Sequence, residues 1–365
     1  MATLALAPVV VLTTLAVAHL RAIGPQTRLP HNASALQLAF VALGLFLGVG
    51  LALLGPDRLR RAWPPLLAIV IVGLFATPHP SLHVRLLGIA LMPTELAKGM
   101  LAVTIAAAVA SERHDRVIAL VSASLVALLL LRAPDHAALA ILFSAAMTIA
   151  LVLERRRLLT IRAGVLSLAV FLATLRGYQW MRLRAWIDGC DPSTTSWLSA
   201  RAHDAIEGAG ITGNHAYPRF AGIFEHNDLG LVDLAARFGL VSVLVVLLFH
   251  AGMVLFALHA ASRARDRFGA ALAIGSSVVF ACHGVGNAAM ATGLLPLCSL
   301  RLGLVSYGGS SVVVLLALLG ATAGIAIRGT ETKPEWAPRV RVVFVVFVVT
   351  LAIVAGRFTW IMLGV

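Results

Sequence analysis

Acidic residues are scarce in this sequence, 16 against 29 basic ones, and the net charge is +13. Seven of the acids fall between residues 188 and 233: Asp188, Asp191, Asp204, Glu207, Glu225, Asp228 and Asp233. In RAWIDGCDPSTTSW, residues 184–197, Asp188 and Asp191 stand three apart and Pro192 follows the second. A carboxylate in such a hydrated stretch can take a proton from an attacking hydroxyl. Asp followed by Pro is also a good N-cap and first-turn pair, here for the segment STTSWLSARAHDAI. The residues alone leave both roles open.

Three other groupings have the residue types for chemistry. In MPTELAKGML, Pro93 suits the first turn of a helix, and Glu95 and Lys98 lie on one helical face. Opposite charges at that spacing can neutralise each other at a membrane, as a structural pair or as part of a binding site. In LLRAPDHAALA, Asp135 follows Pro134 at a helix boundary, where capping is sufficient explanation. In SYGGSS, Ser306 to Ser311, free N–H groups at a helix start can hold an anion such as phosphate, whereas Gly308 and Gly309 also suit a close helix approach. Two patterns are decoys. GAGITG, Gly208 to Gly213, fits a dinucleotide fingerprint but has no strand before it. His203 and His215 lie near acids, yet they read as solvated loop residues, and no metal site is expected. Cys190, Cys282 and Cys298 show no metal or redox spacing and no structural disulfide is expected.

The elements that must position these residues are membrane spans. With 60% hydrophobic and 12% charged residues, the composition excludes an ordinary soluble domain. Apolar stretches recur at about 3–20, 35–55, 63–78, 93–110, 116–132, 136–153, 159–175, 229–260, 268–298 and 304–328, with one more at 340–363. Each is apolar all round, and a bilayer core of about 30 Å needs about 20 such residues. The first stretch has no basic residue before it and many spans after it, so it counts as a span rather than a signal peptide. The chain reads as a single all-α integral membrane domain over residues 1–365. Its 27 arginines and 2 lysines sit in short loops rather than on one hydrated face, which argues against nucleic acid as a partner. Arg58, Arg60, Arg61, Arg113, Arg116, Arg155, Arg156, Arg157, Arg162, Arg263, Arg265, Arg267, Arg328, Lys333, Arg339 and Arg341 all fall on one side. That side is cytoplasmic by the positive-inside rule, which places 176–228, the long hydrophilic segment, outside.

The groupings above, in this order, resemble the SEDS family, the RodA, FtsW and SpoVE proteins of bacterial elongation, division and sporulation. PTELAK is similar to the family's PSELAK, and APDHA to its QPDLG. YQWMRLRAWID, Tyr178 to Asp188, is similar to YQ..RI.AFLDP, and EHND, Glu225 to Asp228, to HTD. NAAMATGLLP and SYGGSS match NIGV.TGLLP and SYGGSS. The resemblance runs from about residue 80 to 328. It implies about ten transmembrane helices with both ends cytoplasmic and a long periplasmic loop between the seventh and eighth. That loop agrees with the orientation read from the arginines. The stretch at 340–363 is additional to the family plan and, if it spans, puts the C-terminus outside.

The resemblance also implies an activity: a peptidoglycan glycosyltransferase in the inner membrane that polymerises glycan strands from lipid II on the periplasmic face. In such a reaction an acceptor hydroxyl displaces pyrophosphate from the donor's anomeric carbon with inversion. One carboxylate must take the hydroxyl proton. No second carboxyl is needed as acid, because pyrophosphate is a weak base that cations can stabilise. Carried over residue by residue, Asp191 is the expected general base, and Arg182 and Arg184 are expected to hold the pyrophosphate. His226 and Asp228 correspond to HTD, with Asn227 in place of Thr; Glu95, Lys98 and Ser310 complete the expected substrate-binding set. A class B penicillin-binding protein is the implied partner. No cofactor is implied, and a divalent-cation requirement is left open.

Several residues depart from the family pattern. Thr194, Ser196, Trp197, Leu198, Arg201 and Ala202 stand where the family has G.GYQ..QS. Ala236 and Arg237 replace a usual pair of acids, and Arg301 and Gly303 stand where the PLPF loop has prolines. These changes keep alive a catalytically degenerate scaffold for a penicillin-binding protein. A lipid-precursor flippase or transporter ranks below it, since transporters favour ionisable residues near the midplane rather than in an outer loop.

Overall fold

The computed structural model describes residues 2–23, 32–76, 84–86, 89–111, 113–132, 136–154, 157–175, 177–188, 197–207, 209–213, 229–298, 300–330, 332 and 334–363. The chain is helical almost throughout: α1 (Ala2–Ile23), α2 (Ala33–Ala76), α3 (Pro93–Ala110), α4 (Arg113–Arg132), α5 (His136–Leu153) and α6 (Arg157–Ala173) come first. A small antiparallel hairpin, β1 (Val84–Leu86) and β2 (Ile89–Leu91), precedes α3, with Val84 opposite Leu91. Then follow α7 (Gly177–Ile187), α8 (Trp197–Glu207), α9 (Gly230–Ser262), α10 (Arg267–Ala281), α11 (Asn287–Ala291), α12 (Gly309–Ile327) and α13 (Ala337–Leu363). Among the described residues, eight helices are long and apolar enough to cross a membrane, and α1 and α6 contain shorter apolar stretches. Val117, Val121 and Leu128 of α4 and Val342, Phe344 and Val346 of α13 are exposed, as expected for side chains solvated by lipid.

Where the sequence predicted two spans at 35–55 and 63–78 joined by a loop, α2 is one continuous element with a break at Gly55, whose φ is 78°. The chain re-enters helix at once because Pro56 needs no N–H partner in a first turn. Arg58, Arg60 and Arg61 therefore ride on the start of the second half. The carbonyls left open at the break are satisfied from α12: Arg328 donates to Ala52 O at 2.7 Å and to Leu53 O at 2.8 Å. Between these points α2 and α12 lie backbone to backbone, so close that a Cβ on Gly320 would run into the Gly48 carbonyl.

The 176–228 segment, expected as a loop, contains two helices, α7 and α8. The turn after α8 explains the decoy glycines. α9 breaks at Gly239, φ 72°, and Leu240 N–H donates there to Gly210 O at 3.1 Å. A Cβ on Gly239 would collide with the Ile211 carbonyl, and one on Gly213 with the Arg237 carbonyl. Residues 209–213 of that pattern form a packing turn locked into a helix break. Further on, the predicted spans 268–298 and 304–328 are each shorter. The first ends at Ala291 after a π-helical stretch, Cys282–Gly286, and the second starts only at Gly309. The non-helical passage between them contains Gly293 and Leu304 at positive φ, 73° and 64°. The core is built around α10, whose Phe268 and Phe280 are fully buried.

Candidate functional site

The start of α3 is fixed by Pro93 behind an extended Met92. Met92 carries no side-chain cap of its own; its N–H donates to Ser310 Oγ of α12 at 2.7 Å. This bond joins PTELAK to SYGGSS, two segments more than 200 residues apart. One turn into α3, Lys98 Nζ donates to Glu95 Oε1 at 2.8 Å, with side chains only 1% and 3% exposed. A carboxylate in the first turn is also favoured by the helix dipole. The ion pair expected from the sequence is present, and it is buried.

Two groups missing from the predicted site, Arg301 and His283, lie beside it. Lys98, Arg301 and His283 all act electrostatically on Glu95. His283 sits on the π-helical stretch, and its Nδ1–H donates to the Arg301 carbonyl at 2.8 Å. Asn287, one turn on, donates through Nδ2 to the Leu300 carbonyl at 2.6 Å. Gln37 of α2 reaches Ser306 O at 3.3 Å, and Leu302 N–H donates to Ser306 Oγ at 3.1 Å. Side chains from α2 and from the α10–α11 turn thus hold the carbonyls of a passage that has no helix of its own. The π-helical register is what lets His283 and Asn287 both face that passage. Arg301, partly buried, points its guanidinium at Met92 Sδ, 3.3 Å away.

Two signals for these residues existed in the sequence. An ionisable His283 inside the apolar run VVFACHGVG is unusual for a span. Arg301 was visible as a departure from the proline of the family loop, although nothing local assigned it a role.

Of the predicted residues, Glu95, Lys98 and Ser310 come together here. Arg182 and Arg184 lie exposed on α7. That helix is tied to the same region, since Trp186 Nε1–H donates to Gly293 O at 2.8 Å. Gln179 of α7 also contacts His136 at the start of α5. Asp191, His226, Asp228 and Asp135 lie outside the described residues. Arg237 is answered one turn back: its Nε donates to Asp233 Oδ2 at 2.8 Å, and His19 of α1 lies 3.4 Å from the same oxygen. His203, read from the sequence as a loop residue, is on α8 with Asp204 and Glu207, their ligand atoms within 4.8 Å of one another. At the other end of α3, Asp57, Arg60, Arg61, Trp63, Ser111 and Asp115 line a separate cavity of about 600 Å³.

A helical bundle with apolar outward faces and buried charges near its helix ends is a multi-pass membrane protein. The family model described as "Cell cycle protein", covering FtsW, RodA and SpoVE, matches residues 1–330, and the chain belongs to that family. α13 lies beyond the matched region. Among its relatives, a protein of Trichlorobacter lovleyi named "Probable peptidoglycan glycosyltransferase FtsW" is 28% identical over 295 residues, 74% of this chain and 77% of the relative. Peptidoglycan glycosyltransferase MrdB of Escherichia coli is 27% identical over 309 residues, 78% of this chain and 83% of that protein. The fold is similar to a chain from a peptidoglycan synthase complex described as coordinating polymerization and crosslinking, with a TM-score of 0.71 and 21% identity over 90% of this chain and 98% of the other. The crystal structure of Thermus thermophilus RodA gives 0.63 and 19%, over 90% and 97%.

Proposed function

We propose that this protein is a peptidoglycan glycosyltransferase that extends glycan strands from lipid II at the periplasmic face of the inner membrane. The observation that carries the reading is the family match over residues 1–330, together with relatives named for that activity along most of their length. The acceptor hydroxyl attacks the donor's anomeric carbon as Asp191 takes its proton. The bond to the diphosphate breaks on the opposite face, and the diphosphate leaves with the lipid. Arg182 and Arg184 are the cations proposed for the leaving group. The buried Glu95–Lys98 pair and Ser310 are proposed to shape the membrane end of the same site, which is consistent with α7 being tied to the 292–308 passage through Trp186. The chain is a single membrane unit in which 176–228 faces the periplasm and α13 adds an eleventh span. A class B penicillin-binding protein is the proposed partner, a reading supported by the fold's likeness to a chain of a synthase complex.

Purified full-length protein should polymerise lipid II, and Asp191→Ala should abolish that polymerisation without reducing yield. Normal polymerisation by the variant would remove Asp191 as the base. A second reading, a scaffold without catalysis, is favoured by the loss of the family's two glycines and both amides, where Thr194, Ser196, Leu198 and Arg201 stand. Unchanged lipid II, both alone and with a transpeptidase partner, would establish the scaffold and refute the enzyme.

A further inference from the structure

We infer that Arg301, Ser311 and the first turn of α12 form a binding site for one phosphate of a diphosphate headgroup, next to the Glu95–Lys98 pair. The identity of the lipid that carries the diphosphate rests on the function proposed above; the site's chemistry does not.

Among the described residues the cations beside Glu95 outnumber the carboxylates. Glu95 is matched by Lys98 at 2.8 Å, and Arg301 adds a second cation on the same carboxylate. Among the described residues no carboxylate lies within 4.0 Å of Arg301, and the acceptor its guanidinium does meet is the Met92 thioether, a weak one. A guanidinium offers five donors in a fork that fits phosphate oxygens. The helix start beside it is equally unfinished. Gly308 stands at the N-cap of α12 with no side-chain cap bond, leaving the first-turn N–H groups to attract an anion. Ser311, 3% exposed, has a hydroxyl with no partner. Both groups border one spot: a Cβ placed on Gly308 would lie 3.1 Å from Arg301 Nη1 and 3.6 Å from Ser311 Oγ. Gly308 keeps that spot open.

The arrangement is also held in place. The Arg301 and Leu300 carbonyls are gripped by His283 and Asn287, so the guanidinium starts from a fixed backbone.

The test uses full-length protein in nanodiscs of zwitterionic lipid and measures binding of undecaprenyl diphosphate, undecaprenyl monophosphate and inorganic pyrophosphate. The wild type should prefer the diphosphate lipid to the monophosphate by about tenfold, the scale of one charge-assisted contact. Arg301→Gln should lower diphosphate affinity about tenfold and erase the preference, with monophosphate binding little changed, and Arg301→Lys should restore part of it. Ser311→Ala removes only an unpartnered hydroxyl from a helix and keeps the fold; it should weaken diphosphate binding about threefold. Inorganic pyrophosphate displacing the lipid from wild type but not from Arg301→Gln would assign recognition to the headgroup alone. Equal preference in wild type, Arg301→Gln and Ser311→Ala overturns the site, as does equal loss of both lipids in the variants. A wild type that shows the Arg301-dependent preference but does not polymerise lipid II refutes the proposed function and leaves this site standing. Polymerisation with a preference indifferent to Arg301 does the reverse.

Discussion

Removing the Glu95 carboxylate should damage the protein more than removing its lysine partner, and the asymmetry follows from Arg301. Lys98 Nζ and Glu95 Oε1 are 2.8 Å apart with almost no exposure. At an effective dielectric of about 20, unit charges at that distance attract by roughly 6 kcal/mol before desolvation is subtracted. Breaking one side of a buried pair costs about 3–5 kcal/mol, because the remaining charge is stranded. Glu95→Gln keeps the side chain's shape but removes the carboxylate charge that both Lys98 and Arg301 face, so its cost should lie near the top of that range, about 5 kcal/mol. Lys98→Met is close to isosteric and leaves Glu95 facing Arg301, so a cost of about 3 kcal/mol is expected. The double variant leaves a single stranded charge and should cost less than the sum, with a coupling of about 2–3 kcal/mol. Equilibrium unfolding in mixed micelles, followed by circular dichroism, gives all four corners of the cycle. A coupling below about 0.5 kcal/mol would refute the pairing argument. A larger loss for Lys98→Met than for Glu95→Gln would refute the role given to Arg301.

The close approach of α2 and α12 makes Gly320→Leu a sharp probe, because its side chain meets the Gly48 backbone; a loss of about 3 kcal/mol is expected by the same unfolding assay. Gly50→Leu, on the same helix as Gly48 but with open space around it, should be close to neutral, and equal losses would remove the contact argument. Trp186→Phe deletes the hydrogen bond to Gly293 O and should cost about 1 kcal/mol, read as faster amide hydrogen exchange at Leu295 and Leu300 with unchanged global unfolding. Unchanged exchange would mean that α7 is not tethered through that bond.

The fold was legible wherever length and hydropathy decide it. Pro93, Glu95 and Lys98 announced a helix start and an ion pair, and both are there, because Pro placement and an i, i+3 spacing are local properties. Splitting α2 into its halves at Gly55 and adding α1 and α6 to the long apolar helices gives eleven segments, as the hydropathy pattern predicted. Two of the misjudged boundaries share one cause. The Gly55 break and the Gly239 break depend on distant partners, Arg328 for the first and the 209–213 turn for the second. Long-range hydrogen bonds leave no periodic trace. The site divides the same way. Glu95, Lys98 and Ser310 could be found by motif, whereas His283 and Arg301 gain meaning only once the π-helical stretch turns one toward the other's carbonyl.

The location of the charges also bears on what the bundle can do. A carrier that moves its cargo across the bilayer needs ionisable groups and broken helices near the midplane, where both sides reach them in turn. Here Glu95 and Lys98 occupy the first two turns of α3, Ser310 and Ser311 the first turn of α12, and His283 the far end of α10, so the whole cluster sits at one end of three helices. The breaks at Gly55 and Gly239 are each met by a partner: Arg328 takes up the Ala52 and Leu53 carbonyls at the first, and the Gly210 carbonyl accepts from the Leu240 N–H at the second. Charge held at one end, by a backbone passage that side chains clamp from two directions, suits a site that binds a headgroup while its lipid tail stays in the membrane. It does not suit a relay through the membrane. The geometry therefore weighs against the transporter reading independently of any relative's name.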